Sequence, residues 1–322
     1  MKYKHIYILG FVATMVALSS CNSSEVIIDD EPEPPTQGGF RPATPTSSAE
    51  STVVFEWLPA PGQFINEPAW GIDWPSVTAS DLCKIVQTRL EKHYSISLGS
   101  FGGYIVVGFD HSIVNKYGDY ELGILGNAFN SPAGDSNEPG IVYVMQDTNG
   151  NGLPDDTWYE LRGSATFESS TIRDYAVTYY KPSGKGQPVR WTDNLGNEGQ
   201  IAYLAAFHSQ DTYYPIWVTS DTYTLTGTRL EAKTCQLPSG NWSNPSFGWG
   251  YVDNMGEDVA DYDGANDCNR FRISDAIDAD GNAVVLDYID FVKVQTGVLA
   301  NAGHLGEVST EVFGVIDLTL KR

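Results

Sequence analysis

The stretch GIVYVMQDTNGNGLPDDTWYELRG, residues 140–163, decides the fold. Its two ends, GIVYVMQ (140–146) and WYELRG (158–163), are short runs rich in Val, Ile, Tyr, Trp and Leu. Such residues fit a pleated, half-buried surface. Between them lies DTNGNGLPDD (147–156), in which Asn, Asp, Gly and Pro supply turn chemistry. Two short strands joined by a polar turn are the unit of an antiparallel sheet.

The same alternation of strand and turn runs outward in both directions. GYIVVGF (103–109), YELGIL (120–125) and YAVTYYK (175–181) read as strands, followed by YPIWV (214–218), YTLTGTRLEA (223–232), YIDFVKVQT (288–296) and EVFGVIDLTL (311–320). In YIDFVKV, Ile289, Phe291 and Val294 suggest a buried side, although Val292 breaks strict period two. One helix stands out: Thr78 can cap it, Asp81 follows three residues on, and Leu82, Ile85, Val86 and Leu90 fall on one face. No fixed-period repeat points to a propeller or solenoid. The expected fold is therefore mostly β, an antiparallel, jelly-roll-like β-sandwich with one helix near the start of the folded part and long surface loops. The longest loop, 233–271, holds Trp242, Phe247, Trp249 and Tyr251, then a run of aspartates.

The N-terminus sets the compartment. Lys2 and Lys4 precede the apolar run IYILGFVATMVALSS, which ends at Cys21. A charged start, an apolar stretch of this length and small residues before the cysteine resemble a bacterial lipoprotein signal. That resemblance implies a signal peptide over 1–20 and lipidation of Cys21. Residues 21–50, rich in Pro, Ser, Thr and Glu, read as an acidic, disordered tether. The acidic DDEPEP near the anchor resembles the signal that sends Bacteroidetes lipoproteins to the outer face of the outer membrane. Residues 51–322, about 270 in all, are enough for a single large domain. With 19 basic against 41 acidic residues, a net charge of −22, the chain repels nucleic acid and anionic lipid, so membrane contact is expected through the lipid anchor alone.

Beyond Cys21 the cysteines are Cys83, Cys235 and Cys268. An oxidising compartment and a shared loop-rich region make Cys235–Cys268 the expected disulfide. No C-x-x-C spacing suggests zinc.

The polar turn is also a candidate calcium site. With Asp147 at position one, Asn149 and Asn151 fall at three and five, Gly152 at six, the Leu153 carbonyl at seven and Asp155 at nine. Position twelve is Trp158, which cannot ligate, so Asp156 or Glu160 would have to substitute in a rearranged loop. The turn resembles the DxDGDGLPD calcium turns of extracellular bacterial proteins. The alternative is a metal-free Asx/Gly turn. If calcium binds here, its role is expected to be structural.

Catalytic signatures are missing from the sequence: there is no H-E-x-x-H and no G-x-S-x-G. Aromatic content is the stronger signal, with 8 Trp and 18 Tyr. Tyr213, Tyr214, Trp217, Trp242, Phe247, Trp249 and Tyr251 are the candidate ligand-binding residues, since such side chains stack on sugar rings or a planar macrocycle.

The blocks FGGYIVVGFDHSIVNKYGDYELGILGNAF, SNEPGIVYVMQDTNGNGLPDDTWYELRGS, YAVTYYKP, WTDNLGN, YYPIW, YTLTGTRL and YIDFVKVQTG resemble the large extracellular lipoproteins described as cell surface proteins in Bacteroides-type bacteria. Such proteins accompany TonB-dependent outer-membrane transporters, including those for cobalamin. The resemblance implies a surface-exposed, non-enzymatic lipoprotein that captures a nutrient, a cobamide or a glycan, for a transporter. A carbohydrate-active enzyme or carbohydrate-binding module is the alternative, and a structural adhesion module the second alternative.

Overall fold

The computed structural model describes residues 38–320; the expected signal peptide, Cys21 and the expected tether up to residue 37 lie outside the described residues. In chain order the first strands are β1 (Val53–Leu58), β2 (Ile96–Ser97), β3 (Tyr104–Val114), β4 (Leu122–Leu125), β5 (Gly140–Met145) and β6 (Tyr159–Leu161). Next come β7 (Ile172–Tyr180), β8 (Val189–Asp193), β9 (Glu198–Ile201), β10 (Thr222–Arg229), β11 (Cys235–Gln236) and β12 (Trp242–Ser243). The chain closes with β13 (Val259–Asp261), β14 (Asp267–Phe271), β15 (Ala276–Ile277), β16 (Tyr288–Thr296), β17 (Glu311–Val312) and β18 (Gly314–Asp317). Among the described residues one α-helix, α1 (Ala79–Leu90), lies between β1 and β2.

The 140–163 hairpin sits inside a six-stranded antiparallel sheet of order β1-β3-β16-β5-β6-β15. A four-stranded sheet, β13-β14-β4-β18, and another, β10-β7-β8-β9, accompany it, with two-stranded ribbons β11-β12 and β17-β2. The described residues form a mostly-β, sandwich-like fold with several antiparallel sheets and one α-helix.

One face of the large sheet carries Ile105, Val107, Val142, Val144, Val292 and Val294 into the main core, where they share a cluster with Leu122, Ile124, Phe271 and Val315 of the β13-β14-β4-β18 sheet. On α1, Leu82, Val86 and Leu90 complete that cluster while Ile85 stays partly exposed. Burying each of these three is worth roughly 1.5–3 kcal/mol. Thr78 caps the helix as expected, its hydroxyl accepting the Asp81 amide at 3.1 Å. The other face of the large sheet meets β10: the Gln295 amide donates to the Thr226 carbonyl, and the Thr228 hydroxyl bonds Glu160. Because β16 is covered on both faces, its apolar residues need not alternate, which is why Val292 departs from period two.

The structure corrects two expectations. YPIWV (214–218) forms no strand: Tyr213, Tyr214 and Pro215 are buried in a turn-rich connection. Residues 38–50, expected within the tether, instead pack on the body. The Gly39 amide donates to the Asp147 carbonyl, Phe40 lies 5.1 Å from the Tyr288 ring, and Arg41 reaches buried Asp290 at 3.1 Å. Asp290 also accepts from the Ser112 hydroxyl and the Asp147 amide, so one carboxylate ties this segment to β3, β16 and the polar turn.

Candidate ligand groove

Among the described residues β1 is an edge strand, paired only with β3. Natural sheets cover such edges, and α1 does so partly, its Cys83 thiol donating to the Phe55 carbonyl. Burial raises the Cys83 pKa, so this thiol is not tuned as a nucleophile. What α1 leaves open is a groove of ≈ 1010 Å³. Its floor is Thr52 and β1 (Val53–Leu58), its walls Ala79, Ser80, Cys83, Lys84 and Gln87 of α1, Leu153 to Asp155 of the polar turn, and Trp217. The floor is apolar and braced, with Phe55 set edge-on to Phe291 at 5.3 Å. Glu56, Ser80, Lys84 and Asp155 supply an exposed polar rim.

Trp217 is the one aromatic candidate from the sequence that lines this groove, and it is held rigidly. It stacks on Trp57 at 5.0 Å and on Trp74 at 5.7 Å, and Trp70 stacks on Trp57 at 5.4 Å. The Trp57 and Trp74 indoles donate to the Ser97 and Glu67 carbonyls, and the Arg89 guanidinium sits 4.0 Å over Trp70. A preorganised aromatic platform beside an apolar trough can bind a flat ligand with little ordering cost. The turn and the tryptophans, far apart in sequence, meet at this groove.

Four of the other aromatic candidates are core residues instead. Tyr213, Tyr214, Phe247 and Tyr251 are at most 5 % exposed. The tyrosine hydroxyls are satisfied internally, Tyr213 by the His208 carbonyl and Tyr214 by that of Ser220; Tyr251 accepts the Ala165 amide. Trp242 and Trp249 are partly buried and stand apart from the groove. Trp249 faces a small hollow with Arg162 and Arg270.

Within the polar turn, Asp147 is buried and accepts the Gly150 and Gly152 amides at 2.7 and 2.8 Å. Both glycines have positive φ, 72° and 73°, which lets the backbone curl around the carboxylate. The Asn149 and Asn151 side chains each donate to Asp155 and lower its pKa. Asp156 is engaged by Thr148. The centre of the turn is therefore filled by its own donors, and calcium would require both Asn side chains to turn an oxygen inward. Glu160 is not part of the turn: it sits on β6, buried, bonded to Thr228 and facing β10.

The expected Cys235–Cys268 disulfide is not formed. Cys235 is a free, exposed thiol on the β11-β12 ribbon, whereas Cys268 is buried in β14, paired with Leu125 and Ala260.

Sequence spacing gives no hint of a second acidic site. Glu138, Asp253 and Glu311 come together with carboxylate oxygens within 4.8 Å of one another. Asp253 and Glu311 are almost fully buried, and burial followed by mutual repulsion pushes both pKa values well up. Glu307, close to Glu138, is raised by burial to about 8. Such a cluster is tolerable only when protons or a hard cation neutralise it. His111 is buried within β3 and bridges its neighbour Asp110 to Asp317 of β18. It lies between Asp110 at 2.7 Å and Asp317 at 2.8 Å, and although burial alone would lower its pKa, the two carboxylates raise it. The chain matches no family model and no curated protein.

Proposed function

We propose that this protein is a lipid-anchored, outer-membrane surface protein that captures a nutrient ligand, a cobamide or a glycan, as the accessory of a TonB-dependent transporter, without turning the ligand over. The observation that carries the reading is the groove beside β1, an apolar trough of ≈ 1010 Å³ with a stacked tryptophan at its side. A trough of that size exceeds a single sugar ring and suits an extended or macrocyclic ligand. Its rim offers hydroxyl, amine and carboxylate groups to fix orientation. Capture falls to Trp217 and the Leu153–Asp155 tip, with the buried tyrosines serving the fold.

Anchorage through Cys21 belongs to the same proposal. Replacing Cys21 with Ala should leave the protein unlipidated, and normal lipid labelling of that variant would refute the anchor. Calcium at the polar turn is proposed as structural, setting the turn tip that borders the groove. Calorimetric titration with a cobamide and a glycan panel tests the capture reading. Binding of one class with no product formed supports it, and release of glycan fragments supports the enzyme alternative.

A further inference from the structure

A single transverse row of side chains crosses the whole six-stranded sheet. The registers pair Glu56 with Val106, Val106 with Lys293, Lys293 with Tyr143, Tyr143 with Glu160 and Glu160 with Ile277. Cross-strand partners point to the same face, so Lys293 stands in the middle of the face opposite the main core. There β10 and β7 cover it incompletely, leaving a cleft of ≈ 200 Å³ bordered by Lys293, Glu160, Tyr143, Trp158, Thr228 and Arg173.

Lys293 is unusual in its surroundings. Its Nζ lies 4.2 Å from the Tyr143 ring centre, 5.5 Å from that of Trp158 and 5.7 Å from that of Tyr104. Among the described residues no hydrogen bond or ion pair holds it. Glu56 and Glu160 act on it only at longer range. A lysine that merely supported the sheet would be expected to find an acceptor. This one presents its amine to an open cleft between aromatic walls.

We propose that Lys293 is a nucleophilic amine that binds small 2-oxo acids covalently, with Arg173 receiving the carboxylate. This site is separate from the capture groove. The Nζ lone pair adds to the carbonyl carbon, giving a carbinolamine. Its hydroxyl leaves as water with a proton from the Glu160 carboxyl, and the nitrogen returns a proton to Glu160 as the C=N bond forms. The net change is amine plus carbonyl to imine plus water. Glu160 borders the same cleft and is held there by Thr228, whose hydroxyl bonds it, and burial shifts its pKa upward, toward the protonated carboxyl. One Arg173 nitrogen donates to the Asp278 carbonyl at 2.7 Å, and the guanidinium keeps further donors for a carboxylate. Burial lowers the Lys293 pKa to about 8. At neutral pH such a lysine carries roughly two orders of magnitude more free amine than a surface lysine.

The test is reductive trapping on the intact protein with glyoxylate and cyanoborohydride, followed by peptide mapping. The expected result is labelling of Lys293 at least about tenfold faster than of exposed Lys84 or Lys185 at pH 7. Glyoxylate should label faster than acetaldehyde, and Arg173→Gln should remove that preference. Lys293→Arg, which keeps a cation over Tyr143, should abolish the fast label while leaving the melting curve close to wild type. Labelling of Lys293 no faster than of the surface lysines overturns the proposal, and so does an equal rate with acetaldehyde.

Discussion

Two aromatic regions of this molecule have similar composition and opposite roles. Tyr175, Tyr179, Tyr213, Tyr214 and Tyr223 pack under the β10-β7-β8-β9 sheet, and their hydroxyls end on groups of the protein. Trp57, Trp70, Trp74 and Trp217 stack on one another and end at an open groove. A buried tyrosine whose polar tip is already bonded has nothing left to offer a ligand. A tryptophan braced from behind by other tryptophans keeps its free surface for one. Aromatic richness alone does not distinguish the two; what does is where each side chain's polar atoms and exposed area end up.

The largest effect that can break this comparison is on the tyrosine side. Tyr179 is fully buried, and Tyr179→Ala should cost about 3–5 kcal/mol of stability. Urea unfolding measures it, and a loss near zero would mean that this region is not core.

Raising the pH should strain the same side. Glu307 lies near Tyr179 and Tyr213 and raises the pKa of both, behind the larger effect of burial. Its own folded pKa is about 8 against an ordinary 4.5. The folded state thus keeps a proton that the unfolded chain has lost. Stability from this group is complete below the unfolded value and is lost as pH rises through about 8. A fall of a few kcal/mol between about pH 5 and about pH 9 is expected, because each tenfold difference in proton affinity between the folded and unfolded chain is worth about 1.4 kcal/mol. Glu138, Asp253 and Glu311 act in the same direction. Glu307→Gln should flatten the profile, and an unchanged slope would show that Glu307 does not cause it.

Calcium sharpens the groove side. If it binds the polar turn with the weak affinity of extracellular sites, a few millimolar should stabilise by about 1–2 kcal/mol. The rise in melting temperature should vanish when Asp147 and Asp155 are both replaced by Ala. No rise in the wild type would leave the turn as an amide-closed Asx turn. The smallest effect is expected from Tyr179→Phe, which takes the donor from the Phe101 carbonyl and should cost about 1 kcal/mol. A cost like that of Tyr179→Ala would show that the hydroxyl, not ring burial, dominates.

Much of the fold can be read directly from the sequence because it is local. The strand pair around 147–156, the Thr78 cap and the apolar face of α1 each depend on residues a few positions apart. The groove is legible only in part. Trp217 and Leu153 stand out by type and by turn position, but their meeting depends on tertiary packing. Trp57, Trp70 and Trp74 carry no periodic signal of stacking, and Glu138, Asp253 and Glu311 are brought together from three distant segments. Cys235 and Cys268 share a loop-rich stretch of sequence, yet they fall in different sheets, and sequence proximity cannot reveal sheet membership.

The most direct measurement is calorimetric titration of the groove itself. Wild type, Trp217→Ala and Leu153→Asp are compared against a cobamide and a glycan panel, with a melting curve for each protein. Leu153 is 51 % exposed, so its replacement should leave the fold intact. If the groove is the capture surface, one ligand class binds the wild type and Trp217→Ala weakens it by about 2 kcal/mol, roughly thirtyfold. Leu153→Asp should weaken it too, without lowering the melting temperature. Unchanged affinity in both variants would contradict the groove as the capture surface.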